Sequence, residues 1–521
     1  MDTLLSKLGS KVNSVITGFD RIVFRGIIRP IMYATGMESF LLTRRVLNKN
    51  FKIYAIKQSQ TIIESAEEMS ARLCGSKITY IPSLNVRKEE LAHKQQKESG
   101  VKEGLIGVWS CVESCNTFRS TYDPSKTYPS LRFDKGKCKH LYYYFDDPTY
   151  GFMSVRLQTW APYEIQIALN GREWLRRSLD KAGCGYYVNG NKFLHIDDYK
   201  LAQDFLDAQV STDFGKLLKG FLPAVFPRMS DVIGPGLSYY WTFWQTEVAK
   251  DYIFKNQGEL SAMMDDYMIH AMITGNGERI LKYFGCPVRE GSQPHHAANP
   301  EIISRAKYWY DGARVRYWNN SNSVKFYNEH NVLRFEMTMN DPKHFRIYRH
   351  VEDHNKDEAK KLMQMRKGVA DTVARYKTSE NVINRFTEQM STVEEKTRLG
   401  DVLNTVAKPV MRQGKRSRAL DVFGKDRELL RAISDPALNV HAITNKELQY
   451  RLENSTWARG MTGKQLSSRI SRNLRLLRDH GLIKKLPNQR RYALTEKGRK
   501  LTTAIDAAES TSINDLLKNA A

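Results

Sequence analysis

The sequence predicts an α+β multidomain protein: an N-terminal α/β-like region, central antiparallel sheets carrying helices, and a C-terminal helix, hairpin and helix. Three observations carry that class. Strand-like and helix-like segments alternate up to Trp109. Apolar and polar residues then alternate with a period of two through three consecutive runs after Gly312. The last hundred residues set an amphipathic helix before a short basic hairpin. The expected organisation is an α/β-like domain over 1–150, an α+β body over 151–380, a basic linker over 381–424 and a terminal domain over 425–510.

Taken in order, Asp20 to Ile28 reads as a strand, Met37 to Leu47 and Gln60 to Leu73 as helices, Ile78 to Ile81 as a strand, Lys88 to Lys97 as a helix, and Leu105 to Trp109 as a strand. No glycine-rich phosphate loop follows any of these strands. Gly151 to Trp160 and Tyr163 to Asn170 alternate, with Met153, Val155 and Leu157 opposing Arg156, Gln158 and Trp160. A helix is expected from Arg172 to Lys181, and apolar-rich helices from Tyr240 to Phe254 and Leu260 to Phe284. On that reading Glu247 and Asp251 stand one helical turn apart, with Asp265 and Asp266 following; the pair would suit Mg²⁺ or simply face solvent. His295 and His296 fall in a loop. Ala313 to Trp318, Ser323 to Tyr327 and Val332 to Met339 form a three-strand meander turned by two Asn-rich tetrapeptides. A charged helix over Asp357 to Tyr376 leads into the linker.

A net charge of +24 over 521 residues favours a polyanionic partner for the whole chain. With 41% hydrophobic residues the chain can fill real cores. No run approaches the roughly twenty apolar residues of a membrane helix, and Met1 to Asp20 lacks a signal-peptide pattern, so a cytoplasmic location with no membrane partner is expected. Six cysteines in that compartment are thiols or metal ligands rather than disulfides. Cys111, Cys115, Cys138 and His140 have the ligand types of a structural zinc site; buried free cysteines are the alternative.

In the meander, alternation gathers Arg314, Arg316, Lys325, Tyr327, Arg334, Glu336 and Thr338 on one face, against Val315, Val324, Phe326, Leu333, Phe335 and Met337. Such a face is a candidate polyanion or catalytic platform. The string "VKFYNEHNVLRFEMTMNDP" resembles one in phage and plasmid replication initiators. That resemblance implies that Lys325, Tyr327, Arg334 and Glu336 lie near a metal-dependent DNA-nicking centre. The family's His-hydrophobe-His motif and helical tyrosine nucleophile have no clean counterpart; Tyr308 and Tyr310 are the nearest tyrosines. "FDRIVFRG", "YGFMSVRLQTW", "NGREWL" and the Gly312 to Tyr348 block resemble a bacterial protein family carried in many copies per genome, which implies a mobile element but supplies no catalytic residue.

From Lys464 to Asp479, Leu466, Ile470, Leu474 and Leu477 form one stripe, with Arg469, Arg472, Arg475 and Arg478 on the opposite arc. His480-Gly481 stops the helix, and Lys484, Lys485, Arg490 and Arg491 flank a hairpin turn at Pro487-Asn488-Gln489. A closing helix starts at Thr495. Twelve Lys or Arg stand against two acidic residues between Lys464 and Lys500. Phosphate neutralisation is the economical explanation. "LSSRISRNLRLLRDHGLIKKLPNQRRYALTEKGRKL" resembles the MarR-type winged helix of bacterial transcription factors. The resemblance implies DNA as partner and the helix before Gly481 in the major groove; a homodimer is a separate expectation. The expected function is a nucleic-acid-binding, DNA-processing protein of a mobile element or replication system. A non-catalytic regulator and an RNA-binding protein are the alternatives.

Overall fold

The computed structural model describes the chain except residues 1, 83–84, 126, 287–300, 311, 351–359, 394–398, 413, 436–437, 439–442, 487–488 and 513–521. The architecture is mixed α/β, built on one eleven-stranded sheet with several two-stranded ones beside it. Its strands are β1 (Val12–Ile27), β2 (Thr79–Tyr80), β3 (Gly104–Thr121), β4 (Ser130–Asp147), β5 (Gly151–Gln158), β6 (Ile165–Asn170), β9 (Tyr240–Phe254), β10 (Ile302–Trp309), β11 (Gly312–Asn319), β12 (Asn322–Glu329) and β13 (Val332–Met339). The spatial order is β10-β11-β12-β13-β9-β1-β6-β5-β4-β3-β2. Among the described residues, only the β2–β3 pairing is parallel. A hairpin of β7 (Tyr186–Asn189) and β8 (Lys192–Ile196) stands apart from it.

The order conceals a repeat. β1 is followed by helices and by the meander β3-β4-β5-β6, whose last strand returns to pair with β1. β9 is likewise followed by helices and by β10-β11-β12-β13, whose last strand returns to pair with β9. Cross-strand registers match between the halves. Ser154 lies opposite Tyr144 and Ala168, and Arg156 opposite Tyr142 and Gln166. In the other half Ser323 lies opposite Trp318 and Thr338, and Lys325 opposite Arg316 and Glu336. Since β1 and β9 are antiparallel neighbours, a half-turn about an axis normal to the sheet relates the halves, and equivalent side chains keep the same face.

One face holds the main core. Val315, Val324, Phe326, Leu333, Phe335 and Met337 join Phe19, Ile22, Phe24, Ile165 and Ile167 beneath a layer of helices. That layer includes α1 (Thr3–Leu8), α2 (Ala34–Thr43), α3 (Phe51–Cys74), and later helices over Gln257–Thr274, Gly277–Phe284 and Thr372–Met390. Phe386 of the last packs edge-on against Phe326 and Phe335. The opposite face carries the polar residues of the meander. It is covered over the middle strands by the helices Gly171–Ala182 and Tyr199–Val210 and by the β7–β8 hairpin, through Ile16, Leu175, Leu206, Phe193 and Ile253. A separate core from Val406 to Ile505 holds the C-terminal elements together. Ion pairs Lys282–Asp506 at 3.1 Å, Arg499–Glu388 at 3.2 Å and Arg431–Glu278 at 3.8 Å connect it to the body.

The meander and its alternation stand as expected, and several other elements differ. Tyr240 to Phe254 is not a helix but the long strand β9. Both faces of its second half are covered, so the run from Val248 to Phe254 is almost continuously apolar or buried and loses the period of two. Leu260 to Phe284 is two helices broken at Gly275-Asn276. The expected charged helix begins only at Thr372, behind a short strand Lys361–Gln364; its first residues lie outside the described ones. Leu105 to Trp109, expected as a short strand, is the start of the eighteen-residue β3, which also holds Cys111 and Cys115. The expected boundary at residue 150 falls between the hydrogen-bonded strands β4 and β5, and the expected linker from 381 begins inside the Thr372–Met390 helix. Among the described residues, no helix is long and apolar enough to cross a membrane.

Candidate functional site

A β-bulge builds the centre of the polar face. Phe19 lies opposite Val248 and Arg21 opposite Glu247, which leaves Asp20 as an extra residue in β1. Phe19 and Ile22 thereby stay in the core while Asp20 and Arg21 both turn to the other face. The second contributor is Arg172, at the start of the Gly171–Ala182 helix. Asn170 caps that helix by accepting from the N–H groups of Arg172 and Glu173. Gly171 lets it approach so closely that a Cβ would lie 2.3 Å from the Phe19 carbonyl oxygen.

The result is a buried quartet of two carboxylates and two guanidinium groups. Arg334 donates through Nε to Asp251 at 2.5 Å, through Nη2 to the same carboxylate at 2.8 Å, and through Nη1 to Asp20 at 3.2 Å. Arg172 Nη2 lies 3.0 Å from Asp251. The Asn191 carbonyl in the β7–β8 turn accepts from Arg334 at 2.6 Å. Burial opposes the charge on Asp251, yet Arg334 and Arg172 outweigh it and hold the carboxyl below its ordinary range. Arg334 is only 1% exposed and spends its donors on this network, so it positions the site from beneath.

One strand-step away a second, largely covered charge cluster follows. Lys325 Nζ pairs with Glu336 Oε1 at 2.7 Å. Glu247, half-buried beside them, has its pKa pushed up to about 7, first by burial and then by Glu336 and Asp20. Glu247 thus exchanges its proton near neutral pH next to a carboxylate held by a lysine, an arrangement able to donate and accept protons. Burial raises the Tyr327 phenol well above its usual range, so it is not an activated nucleophile. Tyr308 and Tyr310 are exposed on the edge strand and its turn. The spacing of Glu247 and Asp251 is that of a strand; they share a face with one residue between them on that face, and Asp251 is taken up by the arginines. Asp265 and Asp266 are exposed on a helix. His295 and His296 lie outside the described residues.

Cys111, Cys115, Cys138 and His140 share the polar face of β3 and β4, and all are buried. The Cys138 thiol hydrogen-bonds Cys115 and has its pKa raised, while that of Cys115 is lowered by the same bond. His140 Nδ1 lies 3.9 Å from Cys138 Sγ, and Cys111 faces His140 across the ladder. Burial, and then Arg156, lower the His140 pKa to about 4. The four do not converge on one point. Among the described residues, no three His, Cys, Asp or Glu side chains are placed to hold a metal ion, so the geometry gives neither the zinc nor the Mg²⁺ expectation support.

The C-terminal elements form a second charged surface. Leu466, Ile470, Leu474 and Leu477 of the Gly463–Asp479 helix enter the local core, as their spacing predicts. Arg472 and Arg475 are exposed, with Arg475 3.9 Å from Asp479. Arg469 instead stacks over Trp457 at 4.4 Å, and Arg478 is half-buried, its carbonyl accepting from Arg412. The strands Ile483–Lys485 and Tyr492–Leu494 pair as a hairpin, with Lys484, Lys485, Arg490 and Arg491 exposed on it. Beside it Thr444, Asn445, Lys446, Gln489, Arg490 and Arg491 line an open groove of about 680 Å³.

Sequence reading missed Asp20, Arg21 and Arg172 and set Glu247 on the wrong element. The signal for Asp20 was a charged pair interrupting "VITGFDRIVF", the mark of a bulge in an apolar strand. No family model, curated protein or solved structure matches the chain.

Proposed function

We propose that the protein binds nucleic acid and works as a DNA-processing protein of a mobile element or replication system, with its C-terminal helices and hairpin acting as a winged helix that holds duplex DNA. The observation that supports this best is the cationic surface of Arg472, Arg475, Lys484, Lys485, Arg490 and Arg491 around the open groove. The helix Asn445–Leu452 precedes the Gly463–Asp479 helix and is tied to it, because Asn445 Nδ2 donates to the Ser467 carbonyl at 2.8 Å. The second helix therefore presents Arg472 and Arg475 as a fixed face, the geometry a groove-reading helix needs.

Each phosphate neutralised adds close to one unit to the slope of log affinity against log salt. Replacing Arg472 and Arg475 with alanine should weaken binding to duplex DNA and lower that slope by about two, as measured by fluorescence anisotropy across a salt series. An unaltered slope would remove the winged-helix assignment. Tight binding to one palindromic site without cleavage would favour a regulator, and preference for structured RNA an RNA-binding protein.

Catalysis by the body is a second reading, favoured by Glu247, with its pKa of about 7, beside the Lys325–Glu336 pair on the polar face of the sheet. On this reading Lys325 and Glu336 face the substrate and Arg334 holds them in place. Cleavage of end-labelled DNA in the presence of Mg²⁺ should then fall at least a hundredfold in Glu336→Gln. Cleavage that persists in that variant would exclude Glu336 from the chemistry.

A further inference from the structure

We propose that the polar face of the outer strands β10, β11 and β12 is a binding site for single-stranded nucleic acid, separate from the C-terminal surface; the inference rests on the nucleic-acid reading of the protein but not on the winged helix.

Among the described residues β10 is an edge strand, hydrogen-bonded to β11 alone, and nearly every one of its residues is exposed. Its register places Arg305 directly opposite Arg316, and Lys307 directly opposite Arg314. The next ladder continues the rows, Arg316 to Lys325 and Arg314 to Tyr327. Like charges set directly opposite one another destabilise a sheet. Here two such pairs adjoin on one face, and among the described residues none of Arg305, Lys307, Arg314 and Arg316 has an acidic partner within ion-pair distance. A polyanion crossing the strands supplies the missing negative charge.

Aromatic rings lie between these cations. Trp318 has the Arg305 guanidinium 5.6 Å and the Arg316 guanidinium 4.9 Å from its ring centre. Tyr327 has Lys325 at 5.2 Å and Lys192 at 5.7 Å. Trp309 lies flat across Gly312, where a Cβ would come within 2.6 Å of the indole, so only glycine allows the ring to rest there. Its outer surface remains open to solvent. Flat rings alternating with cations about 4.8 Å apart from strand to strand suit a chain of bases and phosphates. Stacking on a ring requires an unpaired base, which selects single strands over duplex. The row ends at Lys325, which pairs with Glu336 beside Glu247.

The test uses the full-length protein with labelled oligothymidylate and oligouridylate of about sixteen nucleotides, which lack secondary structure, and with duplex DNA. Arg305→Ala with Lys307→Ala alters only exposed edge residues and leaves the core packing alone. It should weaken single-strand binding at least tenfold and lower its salt slope, with duplex binding unchanged. Trp309→Phe with Trp318→Phe should weaken it less than the Arg305→Ala and Lys307→Ala pair does, and reduce the quenching of tryptophan fluorescence by the oligonucleotide. The stronger binder of the two oligonucleotides identifies DNA or RNA as the occupant. Single-strand affinity unchanged in both variants overturns the proposal, as does its loss in Arg472→Ala with Arg475→Ala. Single-strand binding without duplex binding upholds the proposal while removing the winged-helix reading.

Discussion

Glu247 is the side chain whose charge state the fold alters most usefully. Its folded pKa of about 7 stands above the ordinary 4.5, so the folded protein binds this proton more tightly than the unfolded chain does. The stabilising contribution is complete below about pH 4.5 and is lost as pH rises through about 7. Glu247→Gln keeps the shape and removes the charge. Urea unfolding should show the variant more stable than the parent by on the order of 1–3 kcal/mol at about pH 8, and close to it at about pH 4. Greater loss at high pH in the variant than in the parent would rule out Glu247 as a buried, charge-opposed carboxylate. Asp251 shows the reverse case on the same strand, four residues on. It is fully buried yet ionised, because two arginines meet it. What separates the two carboxylates is their neighbours, and those are set by a bulge in β1.

At the scale of elements, the Gly171–Ala182 helix decides whether the quartet forms. Its first residue touches the β1 backbone, and Arg172 follows directly into the buried network. Gly171→Ala would force helix and strand apart, costing about 2 kcal/mol or more and lowering the melting temperature by several degrees. A melting temperature equal to the parent's would show that the contact is not tight. Legibility in the sequence followed how each element is buried. The meander of β11, β12 and β13 was readable because Val315, Phe326 and Phe335 face a core while Arg316, Lys325 and Glu336 line up on the opposite face. The same reasoning failed at β9, where Val248 enters one core and Ile253 another, so that apolar residues on both faces imitate a helix. It failed for Arg172 for a different reason: an arginine in the first turn of a helix usually faces water, and only the close approach at Gly171 buries it. The stripe Leu466, Ile470, Leu474 and Leu477 was legible, but the arginine arc opposite was only half so. Trp457 captures Arg469, and that contact lies too far along the chain to be read locally.

For the molecule as a whole, the sheet brings strands from residue 12 to residue 339 into one surface. The chemistry-bearing residues of the body, Asp20, Arg172, Glu247, Asp251, Lys325, Arg334 and Glu336, come from five separate segments. No local motif could announce such a site. The two halves have also diverged at equivalent positions. Arg156 is tied to Glu113 and Tyr142 beneath the helix Lys88–Ser99, whereas Lys325 pairs with Glu336 across the β12–β13 ladder.

The half-turn that relates the two meanders runs between β1 and β9, which hydrogen-bond along almost their whole length. Everything that joins the halves covalently at this point passes through the exposed turn at Pro235-Gly236. A protein built this way should tolerate being cut there: fragments 1–235 and 236–521, mixed after separate purification, are expected to recombine into a stoichiometric complex on a sizing column. Failure to recombine would mean that the halves acquire their shape only as one chain.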